Sequence, residues 1–335
     1  FKRPSGTSRG VMTEKETWFL ILEENGKIGI GECGILRTFS IDDRPDYEEK
    51  LQWVCKNIHL GKDKLWDALM EFPSIQFGVE MAFLSLQSKT PFELFPSEFT
   101  EGKKNMLING LVWMGEEHFM KTQIEEKLAQ GFSCIKLKIG AIDFEKELGL
   151  LRFIRQNFNA KTIEIRVDAN GAFSSNEALY KLYQLNEFEL HSIEQPIKAN
   201  QIQEMKRLCQ QTPFPIALDE ELIGVFGLEN KRKLLEVIQP QYIILKPSLV
   251  GGFKGTLEWI SIAKSLKIGW WITSALESNI GLNAITQFTY TLENPMPQGL
   301  GTGGLYTNNF DCPLEIQNGN IGYHPNKKWE TSSIL

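Results

Sequence analysis

The stretch CIKLKIG, residues 134–140, places two lysines where a parallel β-strand is usually apolar. Strands of a parallel sheet are covered on both faces and read as nearly continuous apolar runs. Lys136 and Lys138 alternate with Ile135 and Leu137, so the two lysines share one face of the strand. One such lysine could lie at a solvent-exposed edge of the sheet. Two ammonium groups on the same face of the strand indicate instead an interaction with groups inside the fold.

Strand-like runs of this kind recur along most of the chain. From about residue 105, eight short apolar runs alternate with seven amphipathic helical stretches, and the series ends in PQGLGTGGLY, residues 297–306. Repeated strand–helix units predict an α/β fold with a parallel sheet, and eight strands predict a (β/α)7β TIM-like barrel without its last helix. A doubly wound open sheet is the alternative, but no GxGxxG follows the first strand of the series.

The first part of the chain has a different pattern. Its opening ten residues, FKRPSGTSRG, predict a loop, and two apolar strands then flank Asn25-Gly26, a typical hairpin turn. Helical patterns follow these strands, as in a small α+β domain. We therefore predict an α+β domain over residues 1–97, joined by a hairpin-like tail at about 310–335, and a barrel domain over residues 98–309.

Charged residues recur along the predicted barrel strands with the period of the fold. Counted from Lys138, the charges Asp168, Glu194, Asp219 and Lys246 follow at intervals of 30, 26, 25 and 27 residues, close to the roughly 30 residues of one barrel unit. Each lies late in its strand, where barrels build their active sites. A single charge at a strand end is usually a solvated loop residue or a helix cap, but charges of complementary sign on five successive strands indicate one site.

The three acidic residues predict a metal site. Unpaired carboxylates side by side would repel and take up protons, and a hard divalent cation with oxygen ligands avoids this, which favours Mg²⁺, with Mn²⁺ as a substitute. The four histidines form no HxH or HExxH pattern, so a zinc site is not expected. The paired lysines, roughly 6.5 Å apart, would repel each other by about 2.5 kcal/mol and keep one of them neutral enough to accept a proton.

Composition excludes several classes of protein. The net charge is -6 and no dense basic run is present, so a nucleic-acid partner is not expected. No apolar run approaches the roughly 20 residues of a membrane span. The five cysteines are scattered without a CxxC, which is typical of reduced thiols in a cytoplasmic protein. The oligomeric state stays open.

The motifs KLK, VDANGAF, IEQPI, LDE and LKPSLVGG together closely resemble the muconate-lactonizing subgroup of the enolase superfamily. The resemblance extends over essentially the whole chain. It implies a capping α+β domain before a (β/α)7β barrel, with Asp168, Glu194 and Asp219 as Mg²⁺ ligands. The reaction step shared by the family is removal of the proton α to a carboxylate, with the metal holding the enediolate.

The same resemblance implies roles for the lysines. Lys138 would be the acid/base residue, Lys136 would tune it or contact the substrate carboxylate, and Lys246 would act on the opposite face. Asn170 and Glu220 would support the site from nearby positions.

Within the subgroup, the segments KRPSGTSRG and ALESNIGLNAI look most like those of o-succinylbenzoate synthases of menaquinone synthesis. This similarity implies a lyase that forms o-succinylbenzoate by syn dehydration of 2-succinyl-6-hydroxy-2,4-cyclohexadiene-1-carboxylate. N-succinylamino acid racemase and other racemases or cycloisomerases of the subgroup are alternatives. Dipeptide epimerases resemble one another in an Asp-x-Asp after the last strand, where this chain has GLGTGGLY. A metal-free binding barrel is the non-enzyme alternative, but an intact set of three acids and three lysines argues against it.

A small anionic carboxylate is the substrate that these similarities imply. In the family, the loop that corresponds to the opening residues closes over the substrate, and its basic and hydroxyl side chains suit a multiply anionic ligand. The candidate substrate-binding residues are Ser5, Thr7, Arg9, Ser274 and Glu277, and the sequence leaves open which of them touches the ligand.

Overall fold

The N-terminal part of the chain begins with two antiparallel pairs of strands. The computed structural model describes residues 1–7 and 10–334. Its first four strands are β1 (Ser5–Thr7), β2 (Gly10–Met12), β3 (Thr17–Glu24) and β4 (Lys27–Gly34), paired as β1–β2 and β3–β4. Asn25 and Gly26 have φ angles of 52° and 75°, as a two-residue hairpin turn requires. The predicted hairpin is confirmed.

The opening residues differ from the prediction. The sequence predicts a loop there, whereas the structure pairs Gly6 with Val11 in the short β1–β2 ribbon. Glycine and serine mark loops and the turns of short ribbons alike, so composition does not separate the two.

Three helices follow the β3–β4 hairpin, and the third packs directly on it. They are α1 (Tyr47–Lys56), α2 (Lys62–Ala68) and α3 (Pro73–Gln87). A Cβ added to Gly31 of β4 would lie 1.8 Å from the carbonyl oxygen of Gly78 in α3, so this close approach requires glycine. The contact buries Leu20, Ile75 and Val79 in an apolar cluster.

From residue 106 onward, strands alternate with helices as predicted. After β5 (Met106–Leu107) come the parallel strands β6 (Gly110–Val112), β7 (Cys134–Lys138), β8 (Glu164–Asp168), β9 (Ser192–Glu194), β10 (Ile216–Leu218), β11 (Tyr242–Leu245) and β12 (Gly269–Ile272). The accompanying helices are α4 (Glu117–Ala129), α5 (Phe144–Asn157), α6 (Ala178–Leu185), α7 (Ile202–Gln211), α8 (Leu228–Ile238), α9 (Pro247–Val250), α10 (Gly252–Ser265) and α11 (Asn279–Thr291). None of the described helices is long and apolar enough to cross a membrane.

The parallel strands lie side by side in chain order, from β6 to β12. Residues 298 and 299 bond to β12 at one edge of this sheet and, at the other edge, to the residue before β6, where the Asn109 main-chain N–H donates to the Gln298 carbonyl at 2.9 Å. The Gln298 main-chain N–H donates to the Leu107 carbonyl at 2.9 Å, and the Gly299 N–H donates to the Ile272 carbonyl at 2.8 Å. The eighth predicted strand is therefore reduced to isolated bridges, because the glycine-rich chain leaves the sheet after two residues.

The C-terminal tail forms the predicted hairpin. Strand β13 (Leu314–Gln317) pairs with β14 (Asn320–Tyr323), and β14 also pairs with β5. Before the hairpin, the ring of Phe310 lies 5.5 Å from that of Phe19 in β3. The tail therefore contacts both the N-terminal part and the start of the strand–helix series.

Apolar packing on one face of β7 and β8 turns their charged residues to the other face. Ile135, Leu137, Ile165 and Val167 are buried in the main hydrophobic cluster. Because side chains alternate along a strand, the two lysines of β7 and Asp168 of β8 point to the opposite face of the sheet.

Candidate active site

The register of the sheet brings charged residues into one row. Lys138, Asp168 and Glu194 are direct neighbours on β7, β8 and β9. Asp219 directly follows β10, and Lys246 directly follows β11. The five residues therefore lie at the carboxyl ends of five adjacent strands, as their spacing predicts.

The acids of this row and the two lysines of β7 are withdrawn from solvent. Asp168, Glu194 and Asp219 expose 0–2% of their surface, and Lys136 and Lys138 expose 7% and 8%. Burial of an ion costs several kcal/mol unless the charge is paired. The complementary signs in the row are therefore required for the chain to fold with these charges inside.

Lysine ammonium groups contact the carboxylates from both ends of the row. Lys138 Nζ lies 2.6 Å and Lys136 Nζ 2.9 Å from Asp168 Oδ2. Lys136 also donates to Glu194 Oε2. At the other end, Lys246 donates to Asp219 Oδ2 and lies 4.0 Å from Glu194 Oε1. The lysines of β7 and the lysine after β11 thus flank the three acids.

These contacts shift the pKa values of the buried groups. Burial lowers the pKa of Lys136, but the carboxylates of Asp168 and Glu194 outweigh burial and raise it above its ordinary value. Burial raises the pKa of Asp168, but the ammonium groups of Lys136 and Lys138 bring it well below its usual range. Burial and the Asp168 carboxylate hold the pKa of Glu194 well above its usual range. At Lys136, attraction to carboxylates therefore dominates over the lysine–lysine repulsion that the sequence suggests.

The acidic residues offer the oxygen ligands that a hard divalent cation prefers. Within residues 1–7 and 10–334, no three Asp, Glu, His or Cys side chains are arranged to hold a metal ion as they stand, and lysine ammonium groups contact all three carboxylates of the row. Glu194 Oε1 is buried and accepts no hydrogen bond from a described residue, so it keeps the capacity to bind a cation. Asp168, Glu194 and Asp219 are the residues that could hold Mg²⁺.

Asn170 and Glu220 lie beside the charged row, as predicted. Asn170 Oδ1 accepts a hydrogen bond from Lys138 Nζ at 2.8 Å, and the Asn170 main-chain N–H donates to Asp168 Oδ1 at 3.0 Å. Asn170 Nδ2 donates to Glu220 Oε1 at 3.0 Å. Asn170 therefore orients both a lysine and an acid of the row.

The three lysines line a cavity of about 190 Å³. Lys136, Lys138 and Lys246 share its walls with Gly10–Met12 of β2 and with residues 36–39, which follow β4. Segments from the N-terminal part thus close over the strand ends. The cavity combines ammonium groups with apolar walls, which suits a small carboxylate that has a hydrocarbon body.

The structure brings only some of the predicted substrate-binding residues to this cavity. Ser274 lines it, and the Ser274 hydroxyl lies 2.7 Å from Thr302 Oγ1. Ser5 and Thr7 lie in β1, for which only the backbone is described. Arg9 lies outside the described residues.

Glu277 lies in a buried hydrogen-bond network near the row. Its carboxylate is buried and accepts hydrogen bonds from Ser248 Oγ at 2.5 Å and from the Ala275 N–H at 2.8 Å. Burial raises its pKa. Glu277 does not belong to the described lining of the cavity. Its contacts hold the segments that follow Lys246 and Ser274, and its contact with substrate stays a prediction.

Sequence reasoning missed Asn109, Trp113 and Phe39, which also line the cavity. Asn109 Oδ1 is buried without a hydrogen-bond partner in the described part of the chain. A signal for Asn109 was present, because it interrupts the apolar run NMLINGLVW. The Phe39 ring lies 5.8 Å from Lys246 Nζ, and nothing in a single sequence separates such a ring from an ordinary core residue.

Comparisons with known proteins identify the family of this chain. The family model described as enolase C-terminal domain-like matches residues 120–325. The chain belongs to the enolase C-terminal domain-like family. The resemblance to the enolase superfamily that the motifs indicate is thereby confirmed.

Two relatives of this enolase-family chain match most of its length. An o-succinylbenzoate synthase from Desulfotalea psychrophila is 47% identical, with 96% of each chain covered. An N-succinylamino acid racemase from Thermus thermophilus is 30% identical over 82% of this chain and 75% of the relative.

Two solved structures resemble this chain over nearly its whole length. The crystal structure of MenC from Desulfotalea psychrophila has a TM-score of 0.84 at 43% identity and covers 96% of this chain and 97% of its own. Muconate lactonizing enzyme from Pseudomonas fluorescens has a TM-score of 0.82 at 21% identity, covering 99% and 93%. The second likeness is evidence for a shared fold.

Proposed function

We propose that this chain is an Mg²⁺-dependent o-succinylbenzoate synthase, a carbon–oxygen lyase. The proposed reaction removes water from 2-succinyl-6-hydroxy-2,4-cyclohexadiene-1-carboxylate. The observation that carries the proposal is the row of three carboxylates flanked by lysines at the strand ends. The 47% identity to an o-succinylbenzoate synthase over 96% of both chains supports this substrate over the alternatives.

Lys138 is the acid/base residue of the proposed reaction. It lies in the cavity and is held by Asp168 and Asn170. Its Nζ takes the proton from the ring carbon that bears the carboxylate, and the electrons of that C–H bond pass into an enediolate. The same Nζ then gives the proton to the ring hydroxyl. The C–O bond breaks, water leaves, and the enediolate electrons complete the aromatic ring and restore the carboxylate.

The acids of the row are the proposed ligands of Mg²⁺. When bound, Mg²⁺ supplies positive charge that stabilises the enediolate. Asp168, Glu194 and Asp219 hold it, and Lys246 adds a fixed positive charge from the far end of the row. Syn dehydration needs one acid/base group, so Lys246 can stay protonated throughout.

The proposal includes the closed form of the fold. We infer a (β/α)7β barrel over residues 98–309, capped by an α+β domain of residues 1–97 that the tail at about 310–335 joins. The hydrogen bonds of residue 298 to Asn109, which directly precedes β6, and of residue 299 to Ile272 of β12 support closure. The contribution of Gly10–Met12 to the cavity walls supports the capping role.

Racemisation of N-succinylamino acids is the second candidate. A racemase must deliver a proton from the face opposite to the base, and Lys246 lies at the end of the row opposite to Lys138. The racemase from Thermus thermophilus, 30% identical to this chain, also favours this candidate.

Two assays on the same enzyme preparation separate these functions. One follows o-succinylbenzoate formation and the other follows racemisation of an N-succinylamino acid, both with Mg²⁺. We expect a higher kcat/KM for dehydration. A much higher kcat/KM for racemisation would reject the proposed substrate, and the absence of both activities together with no Mg²⁺ binding by calorimetry would favour a metal-free binding barrel.

A further inference from the structure

Gln195 occupies an unusual position next to the carboxylate row. It directly follows Glu194 at the end of β9 and is fully buried. Its φ angle is 38°, in the left-handed region that few residues other than glycine adopt. Such a conformation persists only where the surroundings hold it in place. The motif IEQPI contains this residue, and the proposed reaction assigns it no role.

The Gln195 side chain bonds to the segment that carries another acid of the row. Gln195 Oε1 accepts hydrogen bonds from the main-chain N–H groups of Asp219 at 3.2 Å and Glu221 at 3.3 Å. Gln195 Nε2 donates to the Ile197 carbonyl at 3.0 Å and to Glu221 Oε2 at 3.1 Å. One buried amide therefore uses both its acceptor and its donors to tie the end of β9 to the end of β10.

The main chain of Gln195 extends this connection to β8. The Gln195 carbonyl accepts from the Gly171 N–H at 2.7 Å, three residues after Asp168. The Gln195 N–H donates to the Ala217 carbonyl at 2.9 Å, two residues before Asp219. Through its main chain and its side chain, this one residue contacts the segments that carry the other two acids.

We propose that Gln195 is a positioning residue that sets the mutual distances of the three carboxylates for Mg²⁺. The inference rests on the proposed metal site. Mg²⁺ requires nearly ideal octahedral geometry at 2.0–2.1 Å, so a small displacement of one ligand weakens binding. Without the amide, the main chain at Asp219 loses a buried hydrogen-bond acceptor and can shift relative to Glu194.

The chain offers a matched control in Gln287 of α11. Gln287 is also fully buried, and its amide accepts from the N–H groups of Leu94 and Phe95 and donates to the Phe92 carbonyl and Asn283 Oδ1. Replacement of either glutamine by methionine keeps the volume and removes the same kinds of hydrogen bond. Only Gln195→Met removes these hydrogen bonds next to the three acidic residues of the row.

The experiment measures the Kd of Mg²⁺ by calorimetry, with thermal unfolding as a check on folding. We expect Gln195→Met to weaken Mg²⁺ binding by roughly 10–100-fold, as for other partners of metal ligands, and Gln287→Met to leave it within about twofold. If Gln195→Met does not fold, Gln195→Asn and Gln287→Asn make the same comparison with a shortened amide.

Three results would count against the inference. Equal Mg²⁺ affinity in the wild type and the Gln195 variant, or equal losses in the Gln195 and Gln287 variants, would overturn the positioning role and leave the proposed function intact. Absence of Mg²⁺ binding by the wild type would overturn the metal site, and the inference with it.

Discussion

Glu80 of α3 connects the N-terminal part of the chain to the strand–helix series. Its carboxylate accepts hydrogen bonds from the main-chain N–H groups of Phe253 at 2.6 Å and Lys254 at 3.1 Å, in the first turn of α10. Burial raises the pKa of Glu80 to about 7, although these hydrogen bonds oppose the shift. Ionisation of Glu80 is therefore harder in the folded protein than in the unfolded chain.

The sign and size of the effect on stability follow from this difference. Below pH 4.5, Glu80 is protonated in both states, so its titration adds no pH dependence to the free energy of unfolding. As the pH rises from 4.5 to about 7, the unfolded chain releases the proton first, so the free energy of unfolding falls. At roughly 1.4 kcal/mol per pH unit over this span, the loss reaches about 3 kcal/mol, and it stays constant at higher pH.

Glu80→Gln removes the titrating group and should remove this loss. We expect the stability of Glu80→Gln relative to the wild type to rise by about 3 kcal/mol as the pH is raised through this span, measured by urea denaturation at each pH. Glu49→Gln makes the same substitution at an exposed site on α1 and is the matched control. A difference between Glu80→Gln and the wild type that does not change with pH would refute the reasoning.

Three further predictions concern the site. Excess chelator should abolish o-succinylbenzoate formation, and added Mg²⁺ or Mn²⁺ should restore it. Calorimetry should show weaker Mg²⁺ binding in Asp219→Asn than in the wild type. Full turnover in excess chelator would contradict the metal assignment. Lys246→Arg keeps the charge and should reduce kcat for dehydration less than Lys138→Arg does. Any racemisation of N-succinylamino acids should vanish in both variants. The reverse order of kcat for dehydration would argue for proton transfer by Lys246. Asn170→Ala should lower kcat more than it raises KM, because Lys138 loses an acceptor at 2.8 Å, and a change in KM alone would contradict this role.

The charged row could be predicted because the repeating unit of the fold appears in the sequence as a period. Lys138, Asp168, Glu194, Asp219 and Lys246 recur at nearly constant intervals and interrupt runs that are otherwise apolar. Because adjacent strands pair in parallel, residues at the same position in successive strand–helix units become neighbours in the sheet. The repeat alone therefore predicts which charged residues lie side by side.

The remaining parts of the site depend on contacts between segments that do not recur at regular intervals in the sequence. Glu277 looks like a ligand-binding residue in sequence, and only the hydrogen bonds from Ser248 and Ala275 show that it holds two loops. The walls formed by residues 36–39 come from a segment about 100 residues before the lysines of β7. The short β1–β2 ribbon has the composition of a loop, so its pairing appears only in the structure.

The rate of o-succinylbenzoate formation by Lys138→Ala at saturating Mg²⁺ tests the central claim most directly. Lys138 is the proposed acid/base residue and is not a proposed metal ligand. At a Mg²⁺ concentration that saturates the variant, we therefore predict a loss in kcat of at least roughly 10²–10⁴-fold, typical of general acid–base catalysis. Lys121→Ala, on helix α4, is the control and should keep the wild-type rate. Wild-type kcat in Lys138→Ala would contradict the account.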